Sequence, residues 1–115
     1  MRKHIMKKIV SLFAGLLLIL SFSVFAEEHA EAALEHAKAA VEQGKKGDAK
    51  ALVKHADASM EHTLSAAILA TAAAKNHLEA GANELEEAIN HGNLGHADMA
   101  TQHAEAAVTH LQAGQ

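Results

Sequence analysis

Residues 44–63 read GKKGDAKALVKHADASMEHT, and residues 92–111 read GNLGHADMATQHAEAAVTHL. Laid over one another with a shift of 48 residues, they match Gly44 to Gly92, Gly47 to Gly95, His55-Ala56-Asp57-Ala58 to His103-Ala104-Glu105-Ala106, and His62 to His110. The same shift carries His29 onto His77, Glu31 onto Glu79 and Val41 onto Ile89. Alanine inflates such matches, but glycine and histidine are not background here. Each stretch opens on a glycine-bounded tetrad that offers a C′ glycine and a short helix–helix turn. Asp48 is placed to cap the helix that follows. The pattern is an αα-hairpin duplicated in tandem.

Working outward, the chain beyond residue 26 is rich in Ala, Glu, Leu, Lys and Gln and contains no proline, which favours helix throughout. Helices are expected near 28–43, 48–67, 72–91 and 96–113. One hairpin cannot bury its own apolar stripe, so two should stack. The expected fold class is all-α: an antiparallel up-down-up-down four-helix bundle built from two tandem αα-hairpins. The middle connection is its weak point, because Ile68 to Ala74 has neither Gly nor Pro and reads as helix on propensity. A helix running straight through would keep the hairpins apart, so a turn is expected near Leu69 and Ala70. The apolar stripe is thin and alanine-rich, with Ala33, Ala37, Leu52, Ala56, Leu78, Leu85, Ala104 and Leu111 among its members. Alanine allows close helix approach but buries little area at about 25 cal/mol per Å², so a metal-free stability of a few kcal/mol is expected.

Residues 1–26 have the form of a secretory signal peptide. Arg2, Lys3, Lys7 and Lys8 form a basic start, an apolar run follows from Ile9, and Val24-Phe25-Ala26 offers small residues at −3 and −1 of a cleavage point. The apolar core is shorter than a spanning helix. A mature domain of residues 27–115 is expected, periplasmic, monomeric and free of the membrane after cleavage. All three Phe and four of the ten Lys/Arg lie in the leader, whereas all fourteen Asp/Glu lie beyond it. The mature domain is therefore acidic and without aromatic residues, which argues against a nucleic-acid partner. The chain has no Cys, which excludes disulfides, thiolate metal sites, Fe–S clusters and covalently attached c-type haem.

Nine of the ten histidines lie beyond the leader, and they recur every seven residues or a multiple of it: His29/His36, His55/His62, His77/His91 with Glu84 between, and His96/His103/His110. Seven residues is close to two helical turns, so each run forms a column on one stripe of its helix. The bland alternative is a set of polar residues on solvated helix shoulders. Each follow-on histidine has about a one-in-seven chance of falling in its helix's heptad class, yet His36, His62, His91, His103 and His110 all do. Each column stands to one side of the apolar stripe, always the same side, so the columns should line inter-helix grooves. Residues equidistant from a turn stand level, which predicts layers about 10.5 Å apart: His29, His62, His77 and His110; then His36, His55, Glu84 and His103; then Gln43, Asp48, His91 and His96. No His-x-x-x-His occurs in any helix, so a single helix is not expected to clamp an ion, and ligands should come from two helices. Neutral imidazole is the commonest protein ligand for transition metals, and Glu84 is a candidate oxygen ligand. Cleavage after Ala26 would also leave Glu27-Glu28-His29 at the amino terminus, a square-planar nitrogen set suited to Cu(II) or Ni(II).

The histidine- and alanine-rich heptads and the closing stretch 92–111 resemble the small metal-binding protein family. The resemblance covers essentially the whole mature chain. It implies a periplasmic four-helix bundle that binds copper and other divalent metals through histidines, with a role in metal buffering or transport. Carried over by position, its ligand candidates are His29, His36, His55, His62, His77, His91, His96, His103 and His110, while Gln43, Asp48, Leu69 and Glu84 occupy slots where histidine stands in the fuller pattern. The expected function is multi-site binding of Cu(II), with Ni(II) or Zn(II) behind it, as a buffer, scavenger or carrier. A haem-binding or purely structural helical bundle is the alternative. An enzyme is not expected, since neither a Glu-x-x-His di-iron signature nor a nucleophile–base pair stands out.

Overall fold

In a computed structural model, the structure describes the backbone of residues 2–115 and the side chains of residues 24–115. The expected leader therefore lies, but for its last three residues, outside the described side chains. Four helices follow in order: α1 (Arg2–Lys45), α2 (Ala49–Leu69), α3 (Ala72–Asn93) and α4 (Ala97–Ala113). Each packs against its chain neighbours, and α1 packs against α4 to close the ring. Paired residues run in opposite order across each hairpin, His29 with His62 and His36 with His55, then Glu84 with His103 and His91 with His96, so both hairpins are antiparallel. Among the described residues no helix is long and apolar enough to cross a membrane.

The two tetrad turns are the same object. Gly47 and Gly95 take the left-handed conformation at φ +79° and +78°. Asp48 N–H donates to Gln43 O at 3.0 Å and Gly47 N–H to Gly44 O at 2.9 Å. The second turn repeats this with His96 to His91 at 2.9 Å and Gly95 to Gly92 at 3.0 Å, which is the Schellman arrangement in both cases. The C′ glycine is therefore the second of each tetrad, and α1 and α3 run about half a turn past their expected ends. The first glycines serve packing instead: a Cβ on Gly44 would collide with the Thr101 hydroxyl and meet Leu52 Cδ1 at 2.7 Å. Asp48 caps α2 by accepting from Ala51 N–H at 3.0 Å.

The middle connection breaks as expected, without Gly or Pro. Ala70 and Thr71 are both extended, with ψ of 152° and 163°. Burial on either side explains the break, since Ala66, Ala67 and Leu78 reach the core only if the chain reverses here. That core is ten alanines and four leucines, with Leu52, Leu78, Leu85 and Leu111 as its large members. Its buried polar groups are Ser59, Thr63 and Thr101. Ser59 ties α2 to α1 by donating to Ala33 O at 2.6 Å.

Candidate metal centre

The histidine columns meet within the hairpins. Antiparallel neighbours bring like shoulders together, and each helix carries its column on one shoulder only. Each column can therefore face one neighbour: α1 faces α2, and α3 faces α4. The grooves between α2 and α3 and between α1 and α4 are left without them. Among the described residues every close ring pair and His–carboxylate pair lies inside one hairpin. Among the described residues no close ring pair joins the two hairpins, so the layers expected across them do not appear as ring contacts.

In the α1–α2 groove the rings interleave rather than stand level. The Nδ1 atoms of His29 and His62 are 3.0 Å apart, hydrogen-bond distance, so one donates to the other. His62 also stacks on His36, with centroids 5.7 Å apart and planes 6° from parallel, and His36 faces His55 at 5.8 Å. One helix is offset along the other by part of a heptad, so the inner rings, His62 and His36, each sit between two from the opposite side. The result is a continuous ladder in place of discrete layers about 10 Å apart. All four rings are half-buried.

The α3–α4 groove carries a different set. His91 stacks on His103 at 5.3 Å with planes 4° apart, and His91 faces His96 at 5.9 Å. Glu87 and His91 are one helical turn apart on α3, with Glu87 Oε2 3.9 Å from His91 Nε2. One ligand atom each from Glu87, His91 and His103 lies within 4.8 Å of the other two. The Nδ1 of His91 is buried and has no hydrogen-bond partner among the described residues. Small rotamer adjustments would bring these donors around one ion, whose bonds to nitrogen or carboxylate oxygen are about 2.0–2.2 Å.

Glu84, expected as an oxygen ligand, sits against His103: its Oε2 lies 2.8 Å from His103 Nδ1. An ionised carboxylate has no proton to give, so Nδ1–H is the donor, and the Nε2 lone pair of the neutral ring is left free for an ion. A carboxylate placed behind an imidazole in this way fixes the ring's orientation and raises the basicity of its other nitrogen. The residue missed in the sequence is Glu87. No two histidines stand four residues apart within a helix, but Glu87-x-x-x-His91 has that spacing and lets α3 supply two donors. His77 is exposed, His110 is half-buried, and neither makes a close ring pair among the described residues.

Two comparisons with known proteins bear on this geometry. No curated protein matches the chain. A family model described as small metal-binding protein matches residues 6–114, which takes in both histidine-lined grooves. The chain belongs to the small metal-binding protein family.

Proposed function

We propose that this protein is an exported, multi-site binder of divalent transition metals that prefers Cu(II) over Ni(II) and Zn(II). It acts as a buffer, scavenger or carrier and not as an enzyme. The observation that carries this reading is the convergence of Glu87, His91 and His103 in one groove, with His91 Nδ1 buried and unpaired. Imidazole nitrogens suit copper, nickel and zinc, and affinity for a given nitrogen and oxygen site rises to Cu(II) along the divalent series. The lack of Cys removes the thiolates that would favour Cu(I). Fourteen carboxylates against ten Lys/Arg draw cations toward the surface. Export rests on the leader-like residues 1–26. It would expose the Glu27-Glu28-His29 terminus, which would compete with the ladder for the His29 ring.

Calorimetric titration of the purified protein with Cu(II), Ni(II) and Zn(II) tests the proposal. More than one binding event for copper is expected, with Cu(II) the tightest ion. Heats no larger than those of a His91→Ala/His103→Ala variant would overturn the role of this cluster.

A further inference from the structure

The hairpins are duplicates, yet they differ at the positions that line their grooves. The shift of 48 residues carries His36 onto Glu84, Gln43 onto His91 and Asp48 onto His96. The α1–α2 ladder of His29, His62, His36 and His55 is nitrogen only: among the described residues no carboxylate comes within 4.0 Å of these rings. The α3–α4 groove mixes imidazole with carboxylate, through Glu87 beside His91 and Glu84 on His103.

We infer that the two hairpins are sites of different donor class: an all-imidazole Cu(II) site in the α1–α2 groove and a two-histidine, one-carboxylate site that accepts Zn(II) in the α3–α4 groove. The inference rests on the proposed function and divides it between the hairpins. Zn(II) has no ligand-field preference and commonly takes imidazole with carboxylate, whereas Cu(II) favours tetragonal nitrogen sets. An all-imidazole groove offers a dication no compensating anion, a deficit that Cu(II) offsets through its stronger bonds to nitrogen. Geometry points the same way. Two metal–nitrogen bonds of about 2.0 Å span about 2.8 Å at the right angle of a square-planar ion and about 3.3 Å at the tetrahedral angle. The 3.0 Å between His29 and His62 Nδ1 lies within this range, so an ion can take the place of the shared proton once that proton moves to the Nε2 of its own ring and both rings turn their Nδ1 lone pairs onto the ion. In the α3–α4 groove an oxygen and two nitrogens lie within 4.8 Å of one another and would close to about 3.3 Å around a tetrahedral ion.

The test compares the full chain with His36→Ala/His62→Ala and with Glu87→Ala/His103→Ala. Isosteric His36→Gln and Glu87→Gln variants stand in should either double variant fold poorly by circular dichroism. Cu(II) and Zn(II) affinities are measured by chelator competition, and nitrogen hyperfine structure in the copper electron paramagnetic resonance spectrum identifies the donors. Loss of the ladder should lower the tightest Cu(II) affinity at least about tenfold and leave the tightest Zn(II) affinity within about threefold; loss of the mixed set should do the reverse. The spectrum of the first copper bound should show a nitrogen-only donor set, and only removal of the ladder should replace it with a mixed nitrogen and oxygen set. Equal losses of both ions in both variants would overturn this assignment alone. A wild-type chain that binds neither ion would overturn the functional proposal and this assignment with it.

Discussion

Glu84 lies 2.8 Å from His103 Nδ1, and the two side chains are 31 % and 29 % exposed. Its expected effect can be worked for two substitutions. Glu84→Gln keeps an oxygen that accepts from Nδ1–H but removes the negative charge that makes Nε2 a stronger donor. Glu84→Ala removes both and frees the ring to turn. Loss of a carboxylate that orients a metal-binding imidazole lowers metal affinity by about 10–100-fold, equivalent to about 1.4–2.7 kcal/mol. Glu84→Gln should fall near the lower figure and Glu84→Ala near the upper. Metal-free stability should change little, because a partly exposed pair contributes at most about 1 kcal/mol. The assay is Zn(II) competition against a chromophoric chelator, with a metal-free thermal melt as control. If Glu84→Ala abolishes binding as completely as Glu87→Ala, Glu84 is itself a ligand. If it changes nothing, His103 does not bind through Nε2. Either result refutes the positioning role.

Four other outcomes follow from the same geometry. An ion that binds only the folded grooves should stabilise the bundle by about 2.7 kcal/mol at a hundredfold excess over Kd, raising the melting midpoint by about 10–20 °C; equal midpoints with chelator and with copper would deny folded-state sites. Protons compete with metal for imidazole nitrogen, so Cu(II) affinity should fall steeply as pH drops from about 7.5 to about 5.5; an affinity flat over that range would make carboxylates the main ligands. Gly44→Ala should destabilise the bundle by about 1–3 kcal/mol through its clash with Thr101 and Leu52, measured by urea denaturation. Gly47→Ala, with open space around it but a positive φ, should cost about 1–2 kcal/mol through the backbone alone.

The bundle is legible in the chain because two periods agree. The repeat places the turns, and the spacing of Leu52, Ala56, Leu78, Leu85, Ala104 and Leu111 places the core face, where all six are buried. The histidine columns were legible for the same reason. Their pairing was not, since it depends on which neighbour each shoulder faces, and that is set by the handedness of the ring of helices. The interleaving of His62 between His29 and His36 depends on an axial offset fixed by packing, above all by the Ser59 bond to Ala33 O and the close approach at Gly44. Equidistance from a turn cannot report such an offset. Glu87 was readable at four residues from His91, but only to a search that admits carboxylates with imidazoles. Which glycine of a tetrad takes the positive φ is decided by which one must let a neighbour pass: Gly44 lies against Thr101, which leaves Gly47 to close the helix.

The ladder has a kinetic consequence. His62 is shared by the pairs with His29 and His36, and His36 by the pairs with His62 and His55. If each of these pairs takes an ion as proposed, the groove is a row of three overlapping two-ring seats. The outer seats can be filled together, but the central one is blocked whenever either outer seat is taken. A lone ion can walk along the row by exchanging one imidazole at a time, never falling below one bond to the protein. A second ion ends that movement by consuming the shared rings. On the proposed function, exchange within the groove should be quick when the metal is scarce and slow when the row is full.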